Sequence, residues 1–388
     1  MKKMILAVVC LAFPALLRAQ LEPNFKAYPE FTWDKVPVCI HLANSHDDFT
    51  PAQIKYMAQF PLICIEKNQA YRKHKNMIEG TCIAAKALKK ANPKTKALFY
   101  WNSRIDYGEF YPFGRLLNDD ARPEWAMKDV KGEYVVVHSN NRRTFDPSNA
   151  DFRQWWVQTA VEAIDKGPLD GVFIDALPQF AGNADGKRRT WGEKKYDEVM
   201  AGLYSMLTEL KEGLGPDRIL IGNSLRGEPA IMPDMGTRFF DYLDGGMLEH
   251  FAALSGNKTD HIVRDIELLQ EAGRRGKIIV FKGWPRYNFT ESSEYKNKPA
   301  AEMEAEVRED IVFPLACFLV GAGKYAYFCY SWGYQINDGG LIDYDEYKKP
   351  LGEPLGDAVK EGYTFRREFK HASVWVDVEN RNARIDWK

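Results

Sequence analysis

Several marks of familiar protein classes are missing from this chain. Its 388 residues carry 53 basic against 54 acidic side chains, so it has no field of one sign to draw nucleic acid. Beyond one short N-terminal run, no apolar stretch approaches the roughly 20 residues a membrane helix needs, so no membrane span is expected. There is no Gly-x-Ser-x-Gly elbow, no His-Glu-x-x-His pair and no thiol–imidazole arrangement, which argues against esterase and zinc-protease chemistry. Cysteine is scarce: beyond Cys10 there are only Cys39, Cys64, Cys82, Cys317 and Cys329, an odd number without metal-ligand spacing. They read as small buried hydrophobes, although one disulfide stays open to a chain outside the cytoplasm. Nothing calls for a metal or a cofactor, and none is expected. Tandem repeats and low-complexity tracts are absent too.

The one apolar run runs from Met4 to Leu17, behind Lys2 and Lys3 and before Arg18-Ala19-Gln20. A basic start, a short apolar centre and a polar exit make a secretory signal peptide over residues 1–20, which implies a secreted or periplasmic mature protein. Cys10 raises the question of a lipid anchor, but Ala7-Val8-Val9 lack the expected small residues and the apolar run continues past it.

What the chain has is alternation. A 45% hydrophobic and 28% charged composition fits a soluble globular protein. Strand-length apolar runs lie near 36–43, 61–67, 96–104, 171–177, 218–224, 246–251, 277–284 and 324–332. Most are apolar throughout, as parallel strands buried on both faces should be. Between them the pattern predicts helices near 50–60, 78–91, 150–165, 192–213, 229–240, 258–275 and 300–320, the first opened by Thr50-Pro51. Eight such pairs predict a (β/α)8 TIM barrel over 21–335. The rival, a doubly wound open sheet, lacks a glycine-rich phosphate turn: the first strand is followed by "ANSHDDFTP". Residues 105–149 are too long for a plain connection and are expected to form an insertion after strand three, with a β-hairpin turning at Lys131-Gly132. Residues 336–388 are expected to form a small antiparallel β appendage from "YTFRREF", "SVWVDVE" and "ARIDW".

Chemistry enters at the strand ends. In such a barrel, residues just past the strand C-termini share one mouth. Asp175 ends strand four and Glu249 ends strand six. Strands about 4.8 Å apart put the two backbones roughly 10 Å from each other, and inward side chains narrow this to about 5–9 Å. Two carboxylates at that spacing can cleave an acetal, one meeting the oxocarbenium-like centre and one protonating the leaving oxygen. Retention and inversion both fall within this window. The shorter, strand-fixed Asp175 suits the nucleophile and Glu249 the acid/base, with Glu66 as an alternative acid. The bland alternative is that Asp175 caps a helix or ties a loop.

The run "FDPSNADFRQWWVQTAVEAIDKGPLDGVFIDALPQF" resembles the strand-four region of retaining barrel glycosidases of the α-glucosidase and dextranase type. Over most of the mature chain the sequence is similar to the glycoside-hydrolase-like family fifteen. The first resemblance implies that Asp175 is the nucleophile and that an acid after strand six, here Glu249, is the proton donor. "MLEHF" departs from the motif of the better characterised families, so Glu249 carries less of the resemblance than Asp175.

Other strand-end residues offer hydrogen bonds and aromatic faces to a carbohydrate: His41, Glu66, Trp101, Asn102, Arg104, Asn223, Lys282, Trp284, Trp332 and Tyr334. Each also has a plainer reading, as core filler or as a partner of the acids. Arg104, Lys282 and Arg226 together would suit a charged sugar. Arg142-Arg143 and Lys187-Arg188-Arg189 read as solvated loop charge. Three functions follow: a glycoside hydrolase, a carbohydrate-binding protein on an inactive hydrolase barrel, and a polysaccharide lyase.

Overall fold

Alternating strands and helices close on themselves. The computed structural model describes residues 21–137, 141–288 and 298–388, so the expected signal peptide lies outside the described residues. Eight parallel strands run in chain order: β1 (Cys39–Leu42), β2 (Leu62–Ile65), β3 (Lys96–Asn102), β4 (Gly171–Asp175), β5 (Ile219–Leu225), β6 (Gly245–Leu248), β7 (Ile278–Gly283) and β8 (Ala326–Tyr330). β8 returns to β1 through the parallel bridge Val38–Phe328 and a hydrogen bond from the Phe328 amide to the Pro37 carbonyl at 2.8 Å. The result is a nearly closed barrel.

Two cores follow from the period-two alternation of strand side chains. Cys39, Cys64, Leu98, Tyr100, Phe173, Ile221, Met247, Val280 and Tyr327 pack together inside the barrel. Their neighbours along the strands, including Ile40, Phe99, Trp101, Val172, Ile174 and Phe281, join the larger core beneath the helices. All five described cysteines are buried and unpaired.

The helices start where the chain supplies caps. α1 (Pro51–Met57) begins in a capping box between Thr50 and Gln53. α2 (Met77–Ala91) and α3 (Ala150–Lys166) open on Asn76 and Asn149, whose side chains accept from Ile78 and Phe152 amides. α4 (Glu193–Leu214) and α5 (Thr259–Arg274) follow β4 and β6. Two expectations change. The helix expected near 229–240 is only the 3-10 turn Thr237–Asp241. The helix expected over 300–320 is broken into Ala300–Asp310 and α6 (Val312–Gly321), because Pro314 has no N–H for the carbonyl of Asp310. Among the described residues no helix is long and apolar enough to cross a membrane.

The insertion after β3 turns at Lys131-Gly132, where Gly132 has φ 82° and Asp129 Oδ1 accepts from the Lys131 amide at 2.8 Å. Only the bridge Lys128–Tyr134 pairs across that turn, while a second short ladder joins Val136–Val137 to Arg142–Arg143. At the C-terminus four antiparallel strands appear where three were expected: β9 (Val359–Glu361), β10 (Thr364–Glu368), β11 (Ala372–Asp377) and β12 (Asn382–Trp387). Arg367 ties this sheet to the barrel by donating to the carbonyls of Leu319 and Ala322 at the end of α6.

Candidate active site

The inward parity that fills the barrel with Tyr100, Phe173 and Met247 places Asn102, Asp175 and Glu249 one layer higher, at the C-terminal mouth. There a cavity of about 560 Å³ is lined by residues from the ends of β1 to β6 and from the chain after β8.

Asp175 is held from four sides. Its Oδ1 accepts from the Ala176 amide at 2.7 Å and from Asn223 Nδ2 at 2.9 Å. Its Oδ2 accepts from Tyr100 Oη at 2.5 Å and Asn102 Nδ2 at 3.1 Å. Asn102 is opposite Asp175 in the β3–β4 register, and its Oδ1 in turn accepts from the Arg104 and Ile105 amides. The next residue, Ala176, adopts φ 73°, a left-handed conformation that a residue with a Cβ pays for in strain of order 1 kcal/mol.

Asn223 joins this carboxylate to the second one. It lies beside an irregularity in the β5–β6 register, between Asn223 and Leu225, of the kind that re-aims side chains near functional sites. The same Nδ2 that donates to Asp175 donates to Glu249 Oε2 at 2.8 Å. Two hydrogens on one amide nitrogen diverge by about 120°, which puts Asp175 Oδ1 and Glu249 Oε2 roughly 5 Å apart. Arg226 Nη1 donates to Asn223 Oδ1 at 3.0 Å and Nη2 to Glu249 Oε2 at 3.2 Å. Tyr334 Oη donates to Glu249 Oε1 at 2.8 Å, and Trp284 Nε1 to the Glu249 carbonyl at 2.6 Å.

The surrounding titratable groups are set by burial and by these partners. Burial, then Asp175, push the Tyr100 hydroxyl well above its usual range; burial and Glu249 do the same to Tyr334, so both remain donors. Burial and Arg226 lower His250 to about 3, leaving a neutral imidazole bonded through Nδ1 to Ser255 Oγ at 2.7 Å. Burial pushes the Glu66 carboxyl up, but Lys67 and His41 outweigh it and hold the group below its usual range. Glu66 accepts from His41 Nε2 at 2.6 Å and from Lys67. A carboxyl kept charged in this way has no proton to offer at neutral pH.

Of the residues expected to meet a ligand, His41, Glu66, Asn223 and Tyr334 line the cavity with Asp175 and Glu249. Six do not. Trp101 points outward under α3, its Nε1 donating to the Trp156 carbonyl at 3.1 Å; being between inward Tyr100 and Asn102, it has no other choice. Trp332 packs into the same outer core. Lys282 is wholly buried, bonded to Ser331 and lying over the Trp284 ring at 3.9 Å. Trp284 stands edge-on behind Tyr334 and positions Glu249 from its backbone. Arg104 donates to the Gln179 carbonyl at 2.9 Å. Asn102 serves Asp175 rather than the cavity.

Cavity residues that sequence reasoning passed over are Lys67, Asn68, Tyr100, Tyr107, Gln179 and Asp338, with Tyr107 supplied by the insertion. Strand parity alone marks Tyr100; the others sit in loops with no local signal. Among the described residues no cluster of three or more His, Cys, Asp or Glu side chains is arranged to hold a metal ion.

Solved structures of similar fold are carbohydrate-active barrels. An α-amylase of Geobacillus thermoleovorans, solved with acarbose, superposes with a TM-score of 0.51 at 12% identity, over 89% of this chain and 87% of that one. An Anoxybacillus α-amylase gives 0.51 at 10% identity over 90% and 88%. A Flavobacterium johnsoniae dextranase, solved with isomaltotriose, gives 0.50 at 12% identity over 85% of this chain and 39% of its own. At such identities the likeness is one of fold. No curated protein sequence matches the chain. The profile described as hypothetical glycosyl hydrolase family 15 matches residues 89–373, from the end of α2 through the barrel into β11, and the chain belongs to that family.

Proposed function

We propose that the protein is a retaining glycoside hydrolase in which Asp175 is the nucleophile and Glu249 the acid/base. The observation that carries this reading is the shared amide of Asn223. The two oxygens on that amide, Asp175 Oδ1 and Glu249 Oε2, come to roughly 5 Å, which fits the ~5–5.5 Å separation of retaining enzymes better than the ~6.5–9.5 Å of inverting ones. In the first step an Asp175 oxygen bonds the anomeric carbon as the glycosidic C–O bond breaks, and Glu249 passes its proton to the leaving oxygen. In the second, Glu249 takes a proton from water, the resulting hydroxide attacks the same carbon, and the Asp175 ester bond breaks. Asn102, Tyr100 and Asn223 hold the nucleophile in line, and Arg226, Tyr334 and Trp284 hold the acid/base.

Asp175→Asn tests it. The variant should fold normally and lose nearly all hydrolysis in a glycan panel, and NMR of the first product formed by the wild type should show the substrate's anomeric configuration. A wild-type-like rate in the variant sinks the assignment, and an inverted product sinks the nucleophile role.

One observation favours a second reading, a carbohydrate-binding protein without catalysis: all four donors on Asp175 come from the protein, so attack requires giving one of them up. Wild-type protein that binds glycans and turns none over would establish it. The leader expected over residues 1–20 would place either activity outside the cytoplasm, which N-terminal sequencing of the native protein checks.

A further inference from the structure

We infer that the cavity takes an uncharged sugar and turns away the same sugar bearing a carboxylate, sulfate or phosphate; this rests on the carbohydrate reading above and narrows it to a substrate class. Among the described residues the charged side chains on the wall are Glu66, Lys67, Asp175, Arg226, Glu249 and Asp338. Both cations are already bonded to wall carboxylates, Lys67 to Glu66 and Arg226 to Glu249. Asp175 and Asp338 remain beyond these pairs, so carboxylates outnumber the wall's lysine and arginine even when Glu249 carries its proton.

Two of the three cations that the sequence suggests for a charged sugar are engaged elsewhere. Lys282 is buried on Ser331 and Arg104 is bonded to Gln179, both off the cavity wall. Arg142, which lies over the rim residue Tyr107, is paired with Glu109. His250, half-buried beside Arg226, stays neutral. An anionic sugar would therefore meet like charge without an uncommitted cation among the described residues, a repulsive element that discriminates between otherwise equal ligands. A neutral sugar finds what hydroxyl groups need: the amide ends of Asn68, Gln179 and Gln335 and the Asp338 carboxylate.

The experiment titrates the wild-type protein calorimetrically with matched pairs of methyl thioglycosides, whose sulfur leaving group resists acid-assisted cleavage: glucoside against glucuronoside, galactoside against galacturonoside, in both anomers. In every pair that binds, the neutral member should be tighter by about a hundredfold. Glu66→Gln, which releases Lys67, should narrow that ratio about tenfold; Asp338→Asn should act in the same direction and serves if the first variant does not fold. Equal or tighter binding of the acidic members overturns the inference, as does the absence of binding by every neutral one. Neutral binding together with no glycan turnover by the wild type would instead fail the hydrolase reading and leave this inference standing.

Discussion

Arg226 Nη1 donates to Asn223 Oδ1 at 3.0 Å, and that one contact decides which end of the Asn223 amide faces the carboxylates. With its oxygen taken by a guanidinium, the amide must turn its NH2 toward Asp175 and Glu249, where both hydrogens find acceptors.

Asn223→Ala should therefore remove the one donor that Asp175 and Glu249 are seen to share. Hydrolysis is expected to fall on the order of a hundredfold or more, chiefly in kcat, since the lost donor orients the reacting groups rather than a remote part of the substrate. Steady-state kinetics on any substrate found in the panel checks this. A change confined to KM would reassign Asn223 to ligand binding.

His250 makes stability depend on acid. Its folded pKa of about 3 lies below the unfolded value of about 6.5, so between these pH values the unfolded chain binds the extra proton. Stability is complete above about pH 6.5 and is lost progressively as pH falls toward 3, by at most a few kcal/mol from this residue. Urea unfolding of wild type and His250→Asn at a series of pH values should show their difference shifting in the variant's favour on acidification. A difference that does not change with pH would sink the assignment.

Trp101 is a core residue. It stacks with Trp156 at 5.9 Å, and the two indoles exchange hydrogen bonds with the backbone around them. Trp101→Ala should cost about 3–5 kcal/mol of stability. The folded fraction should bind sugar as the wild type does. Weakened binding without lost stability would return Trp101 to the site.

Arg381, in the turn between β11 and β12, reaches the loop after β6, donating to the Asn257 carbonyl at 2.7 Å and to its side chain. That loop holds Ala252 and Leu254 at φ 52° and brings His250 and Ser255 to the cavity. Arg381→Ala should leave the melting temperature nearly unchanged, because the contact is exposed, yet speed amide exchange over residues 250–257 several-fold. Unchanged exchange would show that the loop holds its shape unaided.

Sequence alone determined the barrel, since eight apolar runs separated by helical periods are a local pattern with a single compact closure, and it placed Asp175 and Glu249 at strand ends. Strand parity, read residue by residue, also marks Tyr100 as inward and Trp101 as outward, because successive side chains on a strand must alternate. Tertiary structure decided the rest. That Asn102 lies opposite Asp175 depends on the β3–β4 register, and that Asn223 reaches both acids depends on the irregular β5–β6 pairing. Neither is written in one strand, because register is a relation between strands that only packing settles. The same holds for the cavity's charge: nothing along the chain says which carboxylate Lys67 or Arg226 meets, and folding pairs the first with Glu66 and the second with Glu249.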